Sequence, residues 1–195
     1  MMSSSVVTQK EVMSPVSSAS IAVQHLLEKA ANRWPDCPSV SYEGRTFTWC
    51  ETLKRCRKLA LGLANAGVES GDRVAYLGFN SHWCFELFYG APMAGAILVP
   101  INFRLSPAEI VTCVKDAEPT LLVVDEHHMA QAASIAHECP WLKTLVYAGE
   151  SRTPWDMMSY ERLLDEAREN ELAPSGGDDT LVIFYTGGTT GRSKG

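Results

Sequence analysis

A chain of 195 residues has room for one medium domain, or one domain and a piece of another. With 46% hydrophobic and 21% charged residues, it reads as an ordinary globular sequence and not as a disordered or fibrous one. The 17 basic and 23 acidic side chains leave a net charge of -6, which offers no global field to a phosphate backbone or an anionic lipid surface and argues against a nucleic-acid partner.

Residues 1–20 stand apart in character. Ser3, Ser4, Ser5, Ser14, Ser17, Ser18 and Ser20 sit among small apolar residues, with Lys10 and Glu11 the only charges. The apolar core of a secretory signal and the arginines of a transit peptide are both missing, so a flexible leader is expected. No later run approaches the ~20 apolar residues of a membrane helix, and no transmembrane segment is expected.

From residue 21 the pattern becomes periodic. Val23, Leu26, Leu27, Ala30, Ala31 and Trp34 recur at steps of three and four, predicting an amphipathic helix that Pro35 stops. Ser39 to Tyr42 and Thr46 to Trp49 flank Glu43-Gly44-Arg45 and predict a hairpin. Thr48 and Glu51 form a capping box that opens the next helix. Leu53, Cys56, Leu59, Ala60, Leu63 and Ala64 make its apolar face, and Lys54, Arg55, Arg57 and Lys58 the opposite one, read as a solvated surface. Gly67 is the expected stop.

Arg73 to Gly78 reads as a short buried strand, Ser81 to Ala94 as a helix and Ala96 to Pro100 as a second strand. Trp83, Phe85, Phe88 and Tyr89 on that helix are read as packing against a sheet rather than as a pocket. A second capping box, Ser106 to Glu109 with Pro107 at the first helical position, opens a helix to about Asp116. There follow a strand at Leu121 to Val124, a helix at His127 to His137, a strand at Thr144 to Tyr147 and a helix at Tyr160 to Arg168. Nearly continuous apolar strands separated by helices predict an α/β fold, a mostly parallel sheet flanked by helices on both faces. Ala173 to Asp179 is a short polar linker.

The six cysteines include no CxxC pair, and His127 and His128 are neighbours whose side chains point apart. Scattered thiols in a reducing compartment are expected, with no metal site. The cytoplasm is the expected location, with the peroxisome or mitochondrion as alternatives.

The chemistry is concentrated at the end of the chain. Leu181 to Tyr185 is an apolar strand candidate running directly into Thr186-Gly187-Gly188-Thr189-Thr190-Gly191-Arg192-Ser193-Lys194-Gly195. Glycines let backbone amides approach a ligand, threonines add hydroxyl donors and Lys194 adds a mobile point charge. Amides converging at the carboxyl end of a parallel strand make an anion nest, for which a phosphate chain is the natural guest. The GxxxxGK[ST] loop is excluded, because Ser193 precedes Lys194 and Gly195 follows it; Gly187, Gly188 and Gly191 do not fit GxGxxG either.

Tyr185 to Gly195, YTGGTTGRSKG, resembles the phosphate-loop signature of the adenylate-forming, AMP-binding superfamily of acyl-CoA synthetases, peptide-synthetase adenylation domains and luciferases. Ser193 departs from that signature, which usually carries proline before the lysine, and Arg192 sits at its variable position, expected to face solvent. Leu63 to Ala75, Asn80-Ser81, Ala94 to Asn102 and Arg104 to Ile110 are similar to the superfamily's earlier landmarks in the same order, so the resemblance covers roughly residues 21–195 as a partial amino-terminal AMP-binding domain.

The resemblance implies activation of a small-molecule carboxylic acid with ATP and Mg2+ as an acyl-adenylate, followed by transfer to coenzyme A. Thr186, Gly187, Gly188, Thr189, Thr190, Gly191 and Lys194 would hold the β- and γ-phosphates, with Lys194, the one catalytic candidate, assisting electrostatically. A non-catalytic nucleotide-binding module and another adenylate-forming activity are the alternative readings. Superfamily members continue for several hundred residues beyond this loop, so the chain is expected to be an amino-terminal part, inactive as a ligase alone and poorly soluble through an exposed sheet edge.

Overall fold

The computed structural model describes residues 22–142, 144–154, 156–168, 172, 179–187 and 193–195; the serine-rich leader lies outside the described residues. Helix α1 (Val23–Arg33) buries Leu27 and Ala31 and ends just ahead of Pro35. Strands β1 (Pro38–Tyr42) and β2 (Arg45–Thr48) form a hairpin with Tyr42 opposite Arg45. Its two turn residues, Glu43 and Gly44, both take positive φ, 47° and 79°, the turn geometry whose twist matches that of antiparallel strands.

Helix α2 (Trp49–Asn65) starts on the capping box: Thr48 Oγ1 accepts from the Glu51 amide at 3.2 Å, and the Glu51 carboxylate accepts from the Thr48 amide at 2.8 Å. Past its end Gly67 turns at φ +87°. There follow β3 (Arg73–Leu77), α3 (His82–Met93), β4 (Ile97–Ile101), α4 (Pro107–Ala117) and β5 (Leu121–Asp125). A 3₁₀ turn (Glu126–His128) leads into α5 (Met129–Glu138), then come β6 (Thr144–Ala148), β7 (Met158–Ser159) and α6 (Tyr160–Asp165). The second capping box holds as well, with Ser106 capping Glu109 and Pro107 opening α4.

The five strands pair in the order β4-β3-β5-β6-β7, all parallel. Alternate residues serve opposite faces, as strand geometry requires. Val74, Tyr76, Leu98, Leu121, Val123 and Val146 meet α1, α2, α3 and α6 on one side; Ala75, Leu77, Val99, Ile101, Leu122 and Val124 meet α4 and α5 on the other. The mostly parallel sheet flanked by helices is therefore present. Trp83 is buried, and Phe88 and Tyr89 pack partly buried against the same core.

Three details depart from the sequence expectations. The two-residue β7 had no periodic signal at all. Helix α6 ends at Asp165 instead of reaching Arg168, because after Leu164 the chain turns charged at Asp165 and Glu166 and has no large apolar side chain left to bury. The third departure is Arg55, read as part of a solvated face. Its side chain is 16% exposed and bridges two carboxylates, Glu86 on α3 at 2.5 Å and Glu161 on α6 at 2.7 Å. Tyr160 donates to the same Glu86 at 2.9 Å and the Trp83 indole to Glu161 at 3.3 Å. Arg57 and Lys58 pair with Glu28 and Asp165, so three of the four basic residues tie α2 to its neighbours. The expectation failed because helical periodicity registers a face and not the carboxylates that other helices bring to it.

Candidate functional site

Leu181 to Tyr185 is extended. The Leu98 amide donates to the Leu181 carbonyl at 3.0 Å, and the Ile183 amide to the Leu98 carbonyl at 2.9 Å. Val182 thus lies parallel to Leu98 on the outer edge of β4, paired at one residue where the apolar run predicts a five-residue strand. Side chains alternate across this segment. Val182 joins the core under α3 and Phe184 stacks on Phe88 at 6.3 Å, while Ile183 and Tyr185 join the core under α4.

Beyond Tyr185 the chain forms β8 (Thr186–Gly187), which pairs antiparallel with β9 (Ser193–Lys194); Thr186 stands opposite Lys194 and Gly187 opposite Ser193. Of the predicted site residues, Thr186, Gly187 and Lys194 are therefore brought together through their backbones. Gly188, Thr189, Thr190 and Gly191, with Arg192, lie outside the described residues. Val182 is level with Leu98, so counting on from that pair sets Thr186 past Ile101, the last residue of β4. The hairpin sits at the carboxyl mouth of the sheet, where open α/β sheets bind ligands.

The same mouth carries residues that the sequence reading did not single out. Asp125, at the end of β5 and 4% exposed, accepts from the Phe79 amide at 2.7 Å and from the His127 and His128 amides at 3.1 Å each. The His128 Nδ1 lies 2.5 Å from the same carboxylate. One side chain thereby ties β5, the turn after β3 and the start of α5 together. A Cβ on Gly78 would come within 2.6 Å of the Tyr76 hydroxyl and 2.9 Å of the Asp125 carboxyl carbon, so glycine is needed for the turn to close. Phe79 meets Phe103 edge-on at 4.9 Å and His128 at 4.9 Å. An Asp at a strand end followed by a helix is a recognised capping signal, and it was available in Val124-Asp125-Glu126. Among the described residues no group of three or more His, Cys, Asp or Glu side chains is arranged to hold a metal, and no helix is long and apolar enough to cross a membrane.

The model of the AMP-binding enzyme family matches residues 27–195, from within α1 to Gly195. The chain belongs to the AMP-binding enzyme family. Its relatives in this family are acyl-CoA ligases and their adenylate-forming kin. Over 196 residues it is 32% identical to a 2-methylpropanoate-CoA ligase, CCL4, of Humulus lupulus, matching 93% of this chain and 35% of that one. It is 32% identical over 165 residues to the fatty acid-[acyl-carrier-protein] ligase ScoC of Streptomyces coeruleorubidus, matching 85% of this chain and 30% of the other. Among solved structures, the inhibitor-bound N-terminal domain of FACL13 from Mycobacterium tuberculosis superposes with a TM-score of 0.75 at 29% identity, covering 88% of this AMP-binding chain and 42% of that one. The chain spans about a third of the length of the curated relatives it matches, 35% and 30%.

Proposed function

We propose that this chain supplies the triphosphate-binding loop of an enzyme that activates a carboxylic acid with ATP as its acyl-adenylate and passes the acyl group to a thiol, coenzyme A in the first instance. The observation that supports this most directly is the pairing of Thr186 with Lys194 and of Gly187 with Ser193 at the mouth of a parallel sheet. It brings the two ends of the glycine- and threonine-rich segment side by side at the place in an open α/β sheet where an anion is favoured.

Thr186, Gly187, Gly188, Thr189, Thr190 and Gly191 cradle the β- and γ-phosphates with amides and hydroxyls, and Lys194 contributes a charge. Pyrophosphate is a highly charged leaving group, and preorganised donors that hold it still lower the barrier without reorganising during the reaction. None of these residues is a nucleophile or a base. Mg2+ arrives with the nucleotide, and no residue of this chain is assigned to it, to the acid or to the thiol. The cytoplasm is the proposed location, on the scattered spacing of the six cysteines in the sequence.

Titration of the purified chain with inorganic tripolyphosphate tests the reading. Lys194→Ala is expected to weaken binding about tenfold, the loss of one charge-assisted contact. Equal binding by the parent and the variant overturns the assignment. Carboxylate-dependent exchange between ATP and pyrophosphate is expected to be absent for these 195 residues, since one donor loop cannot position both reactants. Exchange above a Lys194→Ala control refutes that second expectation.

A further inference from the structure

Helix α4 meets the loop hairpin twice. On the way in, the Tyr185 hydroxyl donates to the Asp116 carboxylate at 2.6 Å, across 69 residues of sequence. On the way out, β9 lies against the same helix. Asp116 sits in the last turn of α4, the end at which the helix dipole disfavours a carboxylate, so local helix energetics do not account for it there. Tyr185 packs, partly buried, against the core that α4 and α5 share with the sheet. Burial, reinforced by Asp116, holds its hydroxyl protonated well above the usual phenol range. A protonated phenol against a carboxylate is a short, charge-assisted hydrogen bond.

The hairpin's exit lies directly on its entry. A Cβ on Gly195 would come within 2.7 Å of Ile183 Cγ2 and 2.9 Å of the Tyr185 ring. The residue after Lys194 therefore has no room for a side chain so long as Tyr185 stays in place.

We infer that the Tyr185–Asp116 hydrogen bond is the latch that fixes the loop hairpin to α4, with Asp116 a positioning residue for the anion site and Gly195 the close contact that lets the return strand lie flat on the latched ring. The latch is a statement about the hairpin; its effect on phosphate rests on the function proposed above.

The two are separated by measuring backbone amide exchange and tripolyphosphate affinity on the full chain with Tyr185→Phe, Asp116→Ala and the double variant. Each single variant is expected to speed exchange of the Thr186, Gly187, Ser193 and Lys194 amides about tenfold while β3 and β5 keep their protection. Each is also expected to weaken tripolyphosphate binding several-fold, about threefold or more, with the double variant no worse than either single one, as for two partners in one contact. Unchanged hairpin exchange, a loss of protection spread equally over the sheet, or additive effects of the two substitutions each overturn the latch. If the hairpin responds as expected while the parent chain binds no tripolyphosphate, the latch stands and the phosphate assignment falls.

Discussion

His82 is fully buried, and among the described residues neither of its ring nitrogens has a hydrogen-bond partner. It lies in an aromatic box, stacked on Phe47 at 5.0 Å and tilted against Trp83 at 4.2 Å and Tyr42 at 5.7 Å. The Arg45 and Arg55 guanidiniums both stand over the Phe47 ring, and their charge works against an imidazolium while that of Glu161 favours it. Burial first, then Arg55, pulls the imidazole down from 6.5 to about 4. The unfolded chain therefore binds a proton in the window between those values that the folded chain refuses, and stability is lost as the pH falls from about 6.5 towards about 4. The whole window corresponds to about 3 kcal/mol. Thermal midpoints from about pH 7 to about pH 4 should fall less steeply in His82→Leu, which keeps a similar volume and removes the titration. Parallel curves for parent and variant would remove His82 as the cause.

Helices α2, α3 and α6 are held by one charged centre. Glu86 is 0% exposed and Arg55 16%, whereas Glu161, at 43%, is partly screened by solvent. Breaking the inner pair leaves an uncompensated buried carboxylate, so Arg55→Ala should cost about 3–5 kcal/mol, while Arg55→Met with Glu86→Leu and Tyr160→Phe, which also removes the hydroxyl that donates to Glu86, should recover most of it by replacing the pair with apolar volume. Urea unfolding of the two variants checks both values; a loss below about 1 kcal/mol for Arg55→Ala would place the pair with ordinary surface ion pairs. The same elements show what could be read in advance. Both capping boxes and the hairpin turn act within four residues, so their residue types announce them. Glu86 and Glu161 reach Arg55 from 31 and 106 residues away, and helical periodicity contains no term for that distance. The glycine- and threonine-rich motif was legible for the same local reason, whereas Asp116 on α4, the partner of Tyr185 from 69 residues away, was not.

Across the molecule, protection should be uneven. The strands β3 and β5 each have a neighbour on both sides and bury nearly every residue. The segment leading to the loop has one bridge to β4, two backbone hydrogen bonds, and Leu181 and Phe184 that remain 37% and 56% exposed. Hydrogen exchange should therefore find the Ile183 amide opening well before those of Ala75 or Val123, at a free energy below that of global unfolding. Equal protection at the three positions would mean that the segment belongs to the same cooperative unit as the sheet. The order of strands was readable only as a class from alternating helices and apolar runs. Which edge receives Val182 depends on contacts with Leu98, more than eighty residues earlier, and no local pattern encodes it. That single pairing has a thermodynamic consequence. The hairpin is carried by a segment held on β4 at Leu98, so an anion bound as proposed above would favour molecules in which that pairing is formed, the more so the higher its concentration over its dissociation constant. Substitutions far from the mouth that merely loosen β4 would then masquerade as losses of affinity, and saturating anion would hide them.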